Sequence, residues 1–266
     1  MINNFMDQFK EIVYEAGKLI LPATEISIEK EKEGVANFVT KYDIQVQDFL
    51  IQRLSELVPE ASFLGEEEGQ DASPLEEKYC FIIDPIDGTT NFICNFQYSA
   101  ISVAFICNGI PTYGIVYNPF RGEMFWAEKG KGAYLNDKRL TAYDRPLSAG
   151  VAFVDICPYN TELRGSAFTL AQELSYQTMD LRITGSSALN LCYVACGRGV
   201  LFCSPRLCVW DYAAAEVLLN EMGYPLTDFK GTPLNFRTQV TVVTSTPTAY
   251  KQFGKLSAPS LFIDNP

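Results

Sequence analysis

The apolar run Tyr79-Cys80-Phe81-Ile82-Ile83 passes directly into Asp84-Pro85-Ile86-Asp87-Gly88-Thr89-Thr90-Asn91-Phe92, and this junction constrains the chain more than any other stretch. A short run without polar alternation reads as a buried strand. Its end places two carboxylates three residues apart, then turns through Gly88 into hydroxyl side chains. Asp-Pro and Asp-Gly are ordinary turn dipeptides, so either aspartate alone reads as a turn former. At the end of a buried strand, however, unpaired carboxylates carry a desolvation cost that a cation or hydrogen-bond donors must offset. Magnesium, which takes oxygen ligands and keeps some of its waters, meets that need.

The chain contains no histidine. That removes Ser-His and Cys-His nucleophilic machinery, imidazole zinc sites and any histidine general base, leaving carboxylates, hydroxyls and metal-activated water for hydrolysis. With 32 acidic and 21 basic side chains, the net charge is −11 and the pI near 4.6. This balance opposes binding to nucleic acid or to an anionic membrane surface, so the expected partners are cations and small molecules. The cysteines at 80, 94, 107, 157, 192, 196, 203 and 208 sit mostly in apolar runs and form no C-x-x-C pair. They are expected to be reduced packing residues in a cytoplasmic protein. Asp7, Lys10 and Glu11 interrupt the opening apolar residues, unlike a signal peptide, and the apolar stretch 188–203 is too short and too broken to span a bilayer.

At 266 residues and 29.7 kDa the chain can bury a large core. One compact unit over 1–266 is expected, with an α+β half at about 1–145 and an α/β half at about 146–266. Apolar residues from Phe5 to Ile20 recur at helical spacing, and Pro22 follows. The segment 29–34 reads as an exposed, mobile charged loop, and Thr40-Lys41-Tyr42-Asp43 as a capping box opening a second helix that Pro59 stops. β-rich runs at 101–107, 112–117 and 124–127, separated by turn residues, predict an antiparallel meander. Beyond Pro146, strands at 151–156, 179–183, 199–202 and 240–244 alternate with helices at 162–175, 187–196 and 212–222, which suggests α/β layering.

Other chemistry-bearing positions each have an ordinary reading. Gly65-Glu66-Glu67-Glu68 fits a solvated acidic loop, yet it follows a Phe-Leu strand end as Asp84 follows its own strand. Asp211 and Asp43 suit helix-start capping, and the same placement lets a carboxylate project into a metal site. Gly88-Thr89-Thr90 and Gly185-Ser186-Ser187 are either plain N-caps or phosphate-binding helix starts.

Taken in order and at these separations, Gly65-Glu66-Glu67, Asp84 through Phe92 and Trp210-Asp211-Tyr212-Ala213-Ala214 resemble the inositol monophosphatase family of metal-dependent phosphatases. The resemblance extends over Asn37 to Asp43, Gly114-Ile115-Val116-Tyr117, Gly130 to Tyr134 and Gly185-Ser186-Ser187-Ala188, covering nearly the whole chain. It implies an αβαβα five-layer sandwich of the α/β class, commonly a homodimer, that hydrolyses phosphate monoesters of small metabolites with two to three Mg2+ ions and is sensitive to lithium. Glu66, Asp84 and the Ile86 carbonyl then correspond to ligands of one ion, and Asp84, Asp87 and Asp211 to ligands of a second. The resemblance makes Thr89, oriented by Asp43 and supported by Glu67, the group that positions the attacking water. Gly88, Thr89, Gly185 and Ser186 fall to substrate binding.

The Thr-Thr-Asn-Phe tail points to the inositol-phosphatase branch rather than to the bisphosphate nucleotidases or classical fructose bisphosphatases. Where animal members carry a glutamate seven residues before the helix-start aspartate, this chain has Ser204, with Arg206 two residues on. These two positions raise an alternative substrate with a second anionic group, such as NADP or fructose 1,6-bisphosphate. For the loop lysine of the family, Lys32 is the candidate and Glu33 shares its offset. A regulatory protein that has kept the fold, binding metal or an RNA-polymerase component, is the reading from outside the enzymes.

Overall fold

The computed structural model describes residues 5–23, 26, 28–31, 38–68 and 73–262. Helix α1 (Phe5–Ile20) buries Phe5, Phe9, Ile12, Val13, Ala16 and Ile20, the face set by the helical period of its apolar residues. It packs beside α2 (Lys41–Leu57). The expected capping box starts α2: the Thr40 hydroxyl accepts the Tyr42 N–H at 3.2 Å, and Asp43 accepts the Thr40 N–H at 2.8 Å. Ahead of it, β1 (Ile28–Glu31) pairs antiparallel with β2 (Phe38–Thr40). This corrects the expectation of a loop across 29–31: charged residues form a strand because a partner strand satisfies their backbone, which composition alone does not reveal. Lys32 and Glu33 lie outside the described residues.

The larger sheet runs in chain order through β3 (Ser62–Gly65), β4 (Tyr79–Asp87), β5 (Ala100–Cys107), β6 (Ile110–Asn118), β7 (Glu123–Glu128), β8 (Gly132–Leu135) and β9 (Lys138–Arg139). Only β3 and β4 pair in parallel; β4 to β9 form the expected antiparallel meander. β4 is apolar on both faces because both are covered. Phe81 and Ile83 pack under α1 and α2, whereas Cys80 and Ile82 face an inner layer.

That inner layer comprises α5 (Ser187–Ala195) and α6 (Val209–Met222). α6 lies so close to β6 that a Cβ on Gly114 would collide with the Ala214 carbonyl. A larger residue at 114 would push the helix, and Asp211 with it, off the sheet. Across this layer stands the second sheet, ordered β11 (Asp180–Arg182), β10 (Val151–Val154), β12 (Leu201–Leu207), β14 (Val240–Ser245), β13 (Leu226–Thr227). Phe153 and Phe202 face the inner helices, while Ala152, Val154, Leu201 and Cys203 pack under the outer helices α4 (Thr161–Ser175) and α7 (Pro247–Phe253). The order is helix, sheet, helix, sheet, helix, the αβαβα arrangement of the α/β class. Among the described residues no helix is long and apolar enough to cross a membrane.

Two boundaries differ from expectation in ways that bear on the site. β12 does not stop at Phe202 but runs through Ser204-Pro205-Arg206, because a register irregularity against β14 between Ser204 and Leu207 accommodates the proline. Helix α6 starts at Val209 rather than Tyr212, so Asp211 sits inside its first turn.

Candidate active site

The parallel pairing of β3 with β4 sets Gly65 opposite Ile83, so the two strands deliver Glu66 and Asp84 to the same end of the sheet. The two acidic strand ends thus converge. β4 then continues to Asp87, and its pairing with β5 slips between Asp84 and Asp87. The slip lets both aspartates turn inward, where they are only 1% and 6% exposed. The first turn of α6 brings Asp211 to them. Carboxylate oxygens of Asp84, Asp87 and Asp211 lie within 4.8 Å of one another.

Each carboxylate is held from behind. Asp84 accepts the Ile86 N–H at 3.1 Å, and Asp211 accepts the Cys208 N–H at 2.6 Å. Asp87 takes the start of α5: the Ser186 hydroxyl and the amides of Ser187 and Ala188, at 3.2 and 3.1 Å, all donate to it. Burial, then the neighbouring acids, push Asp84 and Asp211 well above the usual carboxylate range. Burial raises Asp87 from 3.8 to about 7 against the opposing donors of α5. Such a cluster either retains protons or surrounds a cation. The donors are all hard oxygens, with no histidine in the chain and no cysteine in the group, which fits a hard divalent cation rather than zinc.

The cluster opens into a cavity of about 400 Å³ lined also by Glu66, Ile86, Gly88 and Thr89. Thr89 starts the short helix α3 (Thr89–Ile93), after Gly88 at φ 84°. At that angle, and with the Gly185 carbonyl 2.9 Å from where a Cβ would stand, only glycine fits. The Thr89 hydroxyl lies 3.1 Å from the Ile86 carbonyl and 3.5 Å from the Asp43 carboxylate. Asp43 is fully buried, and burial raises it from 3.8 to about 7 although the Thr40 hydroxyl and N–H donate to it. Glu67 is half-buried beside it, its N–H donating to Gln47 at 3.2 Å. Asn91 donates to the carbonyls of Tyr98 and Thr184, at 2.8 and 2.7 Å, and so ties the α3 loop to the loop that enters α5.

Glu66, Asp84, Ile86, Asp87, Gly88, Thr89, Gly185, Ser186 and Asp211 therefore share one cavity wall. Ser204 and Arg206 are not on it. Ser204 is fully buried and donates to Asp155 at 2.9 Å, while the Arg206 guanidinium reaches the Gln239 side chain. The residue that reaches the wall from this side is Asp155, which the sequence reading missed. Its signal was present: an aspartate directly after the apolar strand 151–154, as Asp84 directly follows 79–83.

The model of the inositol monophosphatase family matches residues 3–259. The chain is 33% identical over 243 residues to the inositol-1-monophosphatase of Bacillus subtilis (strain 168), covering 91% of this chain and 92% of that one. It is 33% identical over 220 residues, 82% of each chain, to Nus factor SuhB of Escherichia coli (strain K12). Among solved structures, extragenic suppressor protein suhB from Bartonella henselae matches with a TM-score of 0.84 at 26% identity, over 98% of this chain and 99% of that one. With the fold, the acidic cluster and these likenesses in agreement, the chain belongs to the inositol monophosphatase family.

Proposed function

We propose that the protein is a magnesium-dependent phosphomonoesterase acting on inositol monophosphate or a related polyol or sugar phosphate. The observation that carries this reading is the trio of buried carboxylates within 4.8 Å, opening on a cavity large enough for a small ester. Glu66, Asp84 and the Ile86 carbonyl would hold one ion and Asp84, Asp87 and Asp211 another, and a third would lie near Glu66. Bound magnesium supplies positive charge to the phosphate oxygens and lowers the pKa of a water. Thr89, set between the Ile86 carbonyl and Asp43, would accept a hydrogen bond from the attacking water and so orient its lone pair towards phosphorus. Asp43 fixes the Thr89 hydroxyl, and the Glu67 carboxylate supports the same water from behind. The N–H groups of Gly88 and Thr89, at the start of α3, receive phosphate oxygens. No side chain is needed as nucleophile, in keeping with a chain that has no histidine.

The position of Arg206 away from the cavity favours a monophosphate over NADP or fructose 1,6-bisphosphate. The likeness to a protein named Nus factor supports a second reading, a regulatory protein that keeps the fold. Phosphate release from inositol 1-phosphate, NADP and fructose 1,6-bisphosphate, with magnesium and with a chelator, separates the readings. Magnesium-dependent turnover strongest on inositol 1-phosphate is expected; magnesium binding without turnover of any ester would favour the regulatory reading.

A further inference from the structure

Beside the metal-type cluster, the cavity is also lined by Asp155, Ile156, Pro158 and Tyr159 of the loop after β10. Two bonds bolt this loop to β12 and a third braces the loop itself. Asp155 Oδ2 accepts the Ser204 hydroxyl at 2.9 Å, Asp155 Oδ1 accepts the Cys157 N–H at 3.0 Å, and the Tyr159 hydroxyl donates to the Arg206 carbonyl at 3.1 Å. Burial raises Asp155 above the usual carboxylate range, while both donors oppose that rise by favouring its ionised form, and each carboxylate oxygen keeps a lone pair for another donor. Asp155 is partly exposed and lines the cavity. Its neighbours on this wall, Ile156, Pro158 and Ile183, carry no side-chain donor or charge. Among the described lining residues there is no lysine or arginine.

We infer that Asp155 is a specificity-determining residue: a fixed carboxylate, positioned by Ser204, that accepts hydrogen bonds from hydroxyl groups of the leaving alcohol and disfavours substrates with a second phosphate. This inference rests on the phosphatase reading and deepens it, giving the substrate class as monophosphates of neutral, hydroxyl-rich alcohols. Two physical effects point the same way. A hydroxyl donor lost from a charged acceptor weakens binding substantially, and a second phosphate facing Asp155 meets like charge with no lysine or arginine among the described lining residues to offset it. Ser204 takes no direct part; it holds the carboxylate in place from a fully buried position.

The test is the ratio of kcat/KM for inositol 1-phosphate to that for phenyl phosphate, whose leaving group has no hydroxyl beyond the ester oxygen. In Asp155→Ala this ratio should fall about 10- to 100-fold, and in Asp155→Asn by about tenfold, since the amide keeps one acceptor. Ser204→Ala should lower it less than Asp155→Ala and mainly through KM for inositol 1-phosphate. For fructose 1,6-bisphosphate against inositol 1-phosphate, Asp155→Asn should raise the relative kcat/KM about tenfold. Should Asp155→Ala not fold, the isosteric Asp155→Asn carries the test. Unchanged ratios in a folded Asp155 variant would overturn the inference while leaving the phosphatase reading intact. A wild-type protein that hydrolyses none of the three esters with magnesium overturns that reading, and this inference with it, before any variant is compared.

Discussion

Asp43 and Asp211 occupy the same local position, the third residue of a helix whose N-cap N–H each accepts, from Thr40 at 2.8 Å and from Cys208 at 2.6 Å. As caps they are worth about 1 kcal/mol each and are interchangeable in kind. Their surroundings are not. Asp211 is carried over the larger sheet by α6 until it meets Asp84 and Asp87, whereas Asp43 meets a threonine hydroxyl at 3.5 Å. Capping and chemistry are therefore not competing explanations of a helix-start aspartate. The cap fixes the direction of the carboxylate, and the sheet end it faces decides whether it can hold a cation or can only orient a hydroxyl.

The widest separation between the two is expected in activity. Asp211→Asn should lower magnesium-dependent phosphate release by about a thousand-fold or more, and Asp84→Asn likewise, because each removes charge from the cation cluster. Both should abolish the rise in Tm on adding magnesium, and Asp211→Asn should raise the Tm of the metal-free protein by relieving buried repulsion. Asp43→Asn should cost about a hundred-fold in kcat, the scale of a misplaced orienting group, and keep the magnesium-induced rise in Tm. If Asp43→Asn removed that rise too, the distinction between the two caps would fail.

A smaller, graded difference lies in pH. Burial holds the proton of Asp87 up to about 7, against 3.8 in the unfolded chain, and Asp84 and Asp211 are shifted in the same direction. Between those values the folded state binds more protons than the unfolded one, so metal-free stability falls as pH rises from about 4 to about 7. Magnesium competes with the same protons, so the Tm gain at saturating magnesium should grow across that window. Calorimetric melts at several pH values, with magnesium and with chelator, read this directly; a gain that shrinks with rising pH would contradict it. The smallest effect is on the cap alone: Thr40→Ala should destabilise by about 1 kcal/mol by denaturant melt, with magnesium binding unchanged.

Much of this was legible where the determining contacts are local. The period of α1, the capping box of α2 and the apolar run entering Asp84 all rest on neighbours within a few residues, and each appears in place. The convergence of Glu66 with Asp84 was only an inference, because a parallel register is not written in either strand. The wall formed by the loop after β10 was misread for the same reason. Ser204 and Arg206 looked like substrate contacts because sequence offers no way to see that β12 pairs in parallel with β10 and turns Ser204 onto Asp155. Likewise, Cys208 in place of a usual N-cap residue hid the start of α6, and pairing with β2 made a strand of charged residues in β1.

The central claim is that the buried carboxylates form a cation site on which hydrolysis depends. Titration calorimetry of magnesium into the metal-free wild type and into Asp84→Asn, at a pH of about 8, above the value of about 7 to which burial raises Asp87, tests it most directly. Saturable binding by the wild type, lost in a folded Asp84→Asn protein, is the predicted result. Equal binding by both proteins, or none by the wild type, would contradict it.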